Sequence, residues 1–527
     1  MIVGIDFGTC FSSAAIMNGL IPVTNFSSDT AEGIPSIFMY SRDLGKELYG
    51  NQCKGKEGTE NEDDIIRYMK RQVREDPDSL SNTVVSGGRE YLLKDIIEKY
   101  LTYLVSEVRR GARDSGEFKS DEIDAVTITA PVGIAQGQMM ASDYNKLLQD
   151  MMCRITGLDP GRVFIVQEPV AAAISYLYSS DIRRHYDGPQ SILVFDLGGG
   201  TLDVTILEHD PQTMTYEIKA KEGDLMLGGN DWDDRLADLV MKKTGIEGFA
   251  SRLDESKFRR DITEMKQDLS LSEKAGIMFE DSGEDYSVRI TRQEFDECTG
   301  ELLDRAVAVV EKALESYDGI LDRIVLVGGS SNMPQILERM REEFAAGDDD
   351  FVQIYEPSKA IAKGAAVFAK LNSSSDGSTV GATIIDIATH TYGFDSRKNG
   401  EVDMIYNMIF KGTQFKDSDR IWVRSRTSFI PQRNDQTRVS FRIYESEAAQ
   451  GEGEDGNWMH YGNGEIYNGL EVSVQVPPEY LGKAKGFNMW PELSLDSNGI
   501  LEITIRDRAG NRLAYGTTAG GFDYDLE

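Results

Sequence analysis

Phe195-Asp196-Leu197-Gly198-Gly199-Gly200-Thr201-Leu202-Asp203 is the stretch on which the reading of this chain turns. It continues the apolar run Ile192-Leu193-Val194, so a β-strand ends in an aspartate, three consecutive glycines and a threonine. Glycines at such a strand end let backbone N–H groups and a hydroxyl approach phosphate oxygens with no Cβ in the way. The same design occurs at Ile5-Asp6-Phe7-Gly8-Thr9, and a third glycine turn, Val327-Gly328-Gly329-Ser330-Ser331, follows the strand-like Ile324-Val325-Leu326. Asp6 and Asp196 occupy corresponding places before the first two turns, where their carboxylates can face one metal ion from two sides. One such turn alone can simply end a buried strand. Three of them, two with matched aspartates, imply two similar lobes closing on one nucleotide.

In this arrangement Gly8, Thr9 and Cys10 cradle the β- and γ-phosphates, and Gly198, Gly199, Gly200 and Thr201 hold them from the other lobe. Asp6, Asp196 and Asp203 take Mg²⁺, mostly through water, because Mg²⁺ dehydrates reluctantly. No G-x-x-x-x-G-K-[ST] pattern occurs, which excludes the P-loop solution.

The composition narrows the classes. At 527 residues and 40% hydrophobic content the chain can bury two to four cores. Its net charge of −33 argues against nucleic acid and anionic membranes, which need a cationic surface. The four cysteines form no C-x-x-C pair and the four histidines are scattered, so neither a zinc framework nor a histidine-based catalytic site is expected. The first strand starts at Met1 and leaves no room for a signal peptide, and no apolar run approaches the roughly 20 residues of a membrane span. A cytoplasmic protein is expected.

Up to about residue 370, strand-like runs such as Val126-Thr127-Ile128 alternate with amphipathic helices. Ile97, Leu101, Leu104 and Val108 share one face of a long helix, and a heavily charged helix is expected near Glu255 to Leu269. Leu371 to Ser378 is rich in Ser and Asn and reads as a linker. Beyond it the period changes to two: Val439, Phe441 and Ile443 alternate with polar residues, as do Leu501, Ile503 and Ile505 after the turn signal Asp496-Ser497-Asn498-Gly499. Gln450 to Gly464 reads as a polar surface excursion, and the last residues as an acidic tail.

With Glu168-Pro169-Val170-Ala171-Ala172-Ala173, Leu227-Gly228-Gly229-Asn230-Asp231-Trp232-Asp233, and Pro357 followed by Gly364-Ala365-Ala366, the three turns resemble the seventy-kilodalton heat-shock chaperone family, in the same order. Ile384-Ile385-Asp386-Ile387 is similar to that family's interdomain linker, and Leu495 to Leu501 to a late strand of its peptide-binding domain. The resemblance implies an α/β fold: a two-lobed actin-like (ribonuclease H-like) ATPase domain over 1–370, a linker over 371–383, an antiparallel β-sandwich over 384–515 and a tail over 516–527. It also implies ATP/ADP and Mg²⁺ as cofactors and slow ATP hydrolysis.

By the same resemblance, Lys70 is the catalytic lysine set against the γ-phosphate, and Glu168 a carboxylate near the attacking water. Asp196, Asp203 and Thr201 help to orient that water and the metal. Lys266 and Ser270 meet the nucleoside, while Gly228, Gly229, Gly328, Gly329 and Ser330 complete the nucleotide-binding set. The implied partners are extended apolar peptide segments, a J-domain co-chaperone and a nucleotide exchange factor. A nucleotide-gated scaffold for one dedicated protein partner is the alternative reading. A small-molecule kinase of the same superfamily ranks below both, since it leaves the β domain without a role.

Several positions depart from the family. Asn332 stands where an arginine commonly stacks on adenine, and Gln267 stands at the partner position on the charged helix. Losing cationic stacking should weaken base binding by roughly 1 kcal/mol per contact. Cys10 replaces a phosphate-contacting threonine, and a thiol is a poorer donor. Pro131 matches a switch proline, but Met139 replaces the arginine expected eight residues later. The linker is thin in leucine. The sequence is also expected to lack a helical lid. Phe394, Val439 and Phe441 align near the family's peptide channel, although each is equally a β-core residue.

Overall fold

The structure, a computed structural model, describes residues 1–19, 21–23, 33–56, 62–75, 77–131, 141–179, 188–281, 283–373, 381–388, 390–398, 401–415, 420–446, 457–460, 466–480, 482–496 and 501–517. Met139, the turn at 497–499, residues 374–380 of the expected linker and 518–527 of the expected tail lie outside them.

Two six-stranded sheets repeat one plan. In the first, the central strand Ile2–Asp6 pairs antiparallel with Phe11–Asn18 and parallel with Ala125–Ala130, which pairs in turn with Val163–Gln167. In the second, Gln190–Leu197 pairs antiparallel with Leu202–Asp210 and parallel with Arg323–Val327, which pairs with Val352–Ile354. The middle of each central strand, Val3 to Ile5 and Ile192 to Phe195, is buried, as a strand covered on both faces requires. Asp6 and Asp196 thus occupy the equivalent, carboxyl-terminal end of each central strand.

Helices cover the outer faces. In Leu93–Ser115 the expected stripe of Ile97, Leu101, Leu104 and Val108 is at most 1% exposed and packs on the first sheet's core. The charged helix runs Arg252–Leu271, with Ser251 capping the Asp254 N–H, and buries only Phe258, Ile262, Met265 and Leu269. Two helices, Glu168–Tyr178 and Ala360–Ser373, lie between the sheets and share one core with both. Their closeness depends on small residues. A Cβ on Gly364 would fall 1.6 Å from the Ala171 carbonyl oxygen, and one on Gly4 would fall 2.1 Å from the Ala366 nitrogen.

From Thr391 onward the described residues build two antiparallel sheets with one core between them. Five strands, in the order Trp458–His460, Glu401–Ile409, Thr391–Lys398, Arg438–Ser446 and Ile466–Gln475, face four: Arg420–Arg424, Trp490–Asp496, Leu501–Arg506 and Arg512–Thr517. Leu501, Ile503 and Ile505 are fully buried, so the alternation read from sequence is the packing pattern. Within the expected polar excursion, Trp458–His460 forms an edge strand on Glu401–Ile409, because Met459 is buried and Trp458 packs edge-to-face on Tyr406.

The expected boundary at residue 384 falls inside a strand. Thr383–Ile385 pairs in parallel with Thr215–Asp224 and so extends the second lobe's sheet. The free edge of Thr215–Asp224 offers unpaired backbone groups, and Ile384 adds apolar surface to the inter-sheet core. Among the described residues no helix is long and apolar enough to cross a membrane.

Candidate functional site

A cavity of about 490 Å³ opens between the two six-stranded sheets, at the end where the central strands carry Asp6 and Asp196. The fold explains the convergence. Asp196 and Asp203 are direct cross-strand neighbours in the hairpin that the glycine turn closes. Glu168 is the first residue of its helix, followed by Pro169, a favourable place for a carboxylate. Lys70 is presented by the short helix Met69–Glu75, whose preceding residue, Tyr68, takes a left-handed φ of 55°.

Lys70 and Glu168 form an ion pair with both side chains under a tenth exposed. Around it lie Asp6, Asp196 and Asp203, so four carboxylates share one lysine. Burial, and then the Glu168 charge, push the Asp6 carboxyl up to about 7, against the opposing effects of Lys70 and the Thr129 hydroxyl 3.3 Å away. Asp196 is held well above the usual carboxylate range by burial and then by Glu168, Asp203 and Asp6. Such a cluster carries more negative charge than its surroundings neutralise, and a divalent cation is the group that fits it. Among the described residues no three Asp, Glu, His or Cys side chains converge into a direct cage. That suits an ion which keeps water and ligand oxygens in its shell.

The glycine turns form the middle of the cavity. Gly8, Thr9, Cys10, Gly198, Gly199, Thr201, Gly229, Gly328, Gly329 and Ser330 all line it. Thr201 reaches Asp203 at 3.4 Å, and Ser330 donates to the Gly198 carbonyl at 2.8 Å, tying the third turn to the second. The Cys10 thiol lies over Gly199, where a Cβ would be 2.6 Å from the sulfur, so the two lobes' turns meet there. Burial pushes that thiol up to about 11.

Two expected residues are elsewhere. Gly200 and Gly228 do not line the cavity but pack on each other behind it: a Cβ on Gly228 would stand 2.5 Å from the Gly200 backbone. The glycine character of Gly228 serves this contact at the start of the helix Gly229–Thr244, whereas a Cβ on Gly200 would face the Arg71 Cδ at 3.5 Å and the Thr9 Cγ2 at 3.9 Å.

At the other end, Lys266 donates to the Gly229 carbonyl at 2.7 Å and pairs with Asp233 at 2.9 Å. Ser270, one turn along the same helix, also lines the cavity, with Gln267 and Leu271 beside it. Asn332 stands at the wall and donates to the Gly329 carbonyl at 3.0 Å.

The family model described as Hsp70 protein matches residues 2–455 of this chain. The chain belongs to the Hsp70 family. Hsp70 proteins are ATP-dependent chaperones that bind ATP and ADP with Mg²⁺, and the match covers both glycine-turn lobes and much of the β-sheet region. In this Hsp70 the sequence reading missed Asp233, Thr263 and Ser13, which also line the cavity. Asp233 belongs to the Leu227 to Asp233 stretch, of which only the glycines were taken as ligands. Ser13 pairs with Asp6 across the first hairpin, a register that only the folded strand pair reveals. Thr263 carries one signal, its position three residues before Lys266 on one helix face.

Proposed function

We propose that this chain binds Mg-ATP between its two lobes and hydrolyses it slowly, and that hydrolysis controls how the β domain holds extended apolar segments. The observation that carries the reading is the cavity in which the glycine turns, four carboxylates and Lys70 converge. Asp6 and Asp196 would hold Mg²⁺ through its water shell, with Asp203 beside them. When bound, the ion supplies positive charge against the β- and γ-phosphate oxygens. Gly8, Thr9, Gly198, Gly199 and Thr201 bind and orient the phosphates. Lys70 donates to the γ-phosphate, while Glu168, Asp196 and Asp203 orient the water. Its oxygen bonds to the γ-phosphorus as the bond to the β–γ bridging oxygen breaks, giving ADP, phosphate and a proton passed to solvent.

A route between the site and the β domain supports coupling. Asp386 pairs with Lys221 at 2.5 Å and accepts a hydrogen bond from Gln167 at 3.0 Å. Gln167 is the residue before Glu168. The β domain adds a contact of its own, Lys411 to Glu222 at 2.7 Å.

The scaffold reading draws on a different observation. Phe394 and Phe441, aligned near the peptide channel, are at most 2% exposed and pack edge-to-face with each other. Phe429, from the loop after Arg420–Arg424, packs on Phe394 and on Tyr406. An interior filled this way favours a partner that docks on the outside of the β domain.

Single-turnover hydrolysis of Mg-ATP, with and without excess extended apolar peptide, tests both. Hydrolysis that requires Lys70 and accelerates with peptide supports the coupled chaperone. Hydrolysis indifferent to peptide supports the scaffold, and no hydrolysis or nucleotide binding would sink both.

A further inference from the structure

The hydroxyl-bearing residues Ser12, Ser36 and Tyr100 are buried beside the first glycine turn, and the proposed hydrolysis gives none of them a task. Their place follows from strand pairing. Ser12 lies on Phe11–Asn18 opposite Ile34 of the short strand Ile34–Pro35, and Ser36 is the next residue. Tyr100, from the helix Leu93–Ser115, donates to the Ile34 carbonyl at 3.2 Å.

Ser36 holds the turn at both ends. Its hydroxyl donates to the Gly8 carbonyl at 2.7 Å, and its backbone N–H donates to the Cys10 carbonyl at 2.8 Å. The Ser12 and Ser36 hydroxyl oxygens lie 2.9 Å apart. A carbonyl only accepts and a hydroxyl has one proton, so Ser36 gives its proton to Gly8 and Ser12 donates to Ser36. The hydrogen bonds therefore run one way, from Ser12 through Ser36 to the turn.

A planar trans peptide directs its C=O and its N–H to opposite sides. With the Gly8 and Cys10 carbonyls drawn back to Ser36, the N–H groups of Thr9 and Phe11 point away from it. Gly8, Thr9, Cys10 and Phe11 line the cavity and Ser36 does not, which puts those N–H groups on the side where an anion is held. We propose that Ser36 is a positioning residue: through these two carbonyls it aims the Thr9 and Phe11 N–H groups at the phosphates of the bound nucleotide. This inference rests on the nucleotide reading and adds the residue that sets the first lobe's backbone donors. Without the Ser36 hydroxyl the Gly8–Thr9 peptide loses its anchor, and one misaligned donor should lower phosphate affinity by about fivefold to tenfold.

The test is calorimetric binding of Mg-pyrophosphate and Mg-ADP to the full chain, with single-turnover hydrolysis of Mg-ATP alongside. Ser36→Ala should weaken both ligands by the same factor. The half-saturating ATP concentration should rise by a similar factor while the saturated rate stays within about threefold, because a binding contact common to ground and transition states is what was lost. Ser36→Cys, close in size but a weaker donor, should fall between wild type and Ser36→Ala, and it keeps the test open if Ser36→Ala melts early. Tyr100→Phe removes a hydroxyl beside the turn that does not hold the turn's carbonyls, so it should melt earlier than wild type and bind pyrophosphate as wild type does. Unchanged pyrophosphate affinity in whichever Ser36 variant folds, or an equal loss in Tyr100→Phe, overturns the proposal alone. Failure of wild type to bind either ligand removes the nucleotide reading and this proposal with it.

Discussion

Lys70 reaches across 98 residues of sequence to Glu168, and the two form a buried ion pair among three further carboxylates. Neither charge is stable there alone. The lysine is the local counter-charge for Glu168, Asp6 and Asp196 together, so it holds the site in shape as well as serving any reaction in it.

Lys70→Ala should therefore do two things. Single-turnover hydrolysis should fall by at least a hundredfold, and stability should drop by about 3 kcal/mol, because Glu168 is left buried without its cation. Adding Glu168→Gln should restore much of the stability and none of the hydrolysis. Melting curves of the single and double variants would decide this; equal melting of Lys70→Ala and wild type would show that the pair carries no structural weight.

Gly364→Ala should be among the most damaging small substitutions in the chain. Its Cβ would overlap the Ala171 carbonyl where the two inter-sheet helices meet, a backbone contact that cannot rotate away. A loss of about 3 kcal/mol is expected by urea denaturation. Gly300, inside the helix Arg292–Glu315 with nothing within 4 Å of a Cβ, is the control: Gly300→Ala should stabilise by about 0.5–1 kcal/mol.

Cys10 should be slow to alkylate despite facing the cavity. With its thiol near 11 rather than 9, the thiolate present at pH 8 is roughly a hundredfold scarcer than for an ordinary cysteine. The fraction rises as pH rises, so labelling should climb tenfold per pH unit through pH 8 to 10. Mass-spectrometric labelling of folded protein checks this, and rapid labelling of Cys10 at pH 7 would contradict it.

Asp386→Ala should release the strand Thr383–Ile385. Lys221 is 3% exposed and pairs with Asp386, so its removal leaves a buried ammonium that costs several kcal/mol if the strand stays in place. The lower-energy response is for the short strand, which has three paired positions, to leave the sheet edge. Limited proteolysis around residues 383–388 should accelerate severalfold with little change elsewhere. Unchanged cleavage would mean that the strand pairing alone holds this segment.

Much of the site was legible in the linear sequence because its chemistry is local. A glycine turn immediately after a strand that carries a buried aspartate at its end shows both in one short stretch, and both line the cavity. The apolar faces of Leu93–Ser115 and Leu501–Arg506 were legible for the same reason, since helix and strand periods map directly onto burial. Gly228 shows the limit: a glycine that lines the cavity and one that lets two backbones touch look alike in sequence. Asp233, Ser13 and the pairing of Thr383–Ile385 with Thr215–Asp224 were likewise beyond it. Each depends on which distant segments come to lie side by side, and on how far burial between them raises the cost of an unpaired charge or an open sheet edge. Local pattern alone determined the two lobes and the turns between them; packing alone decided which polar groups face the cavity and where the second lobe's sheet ends.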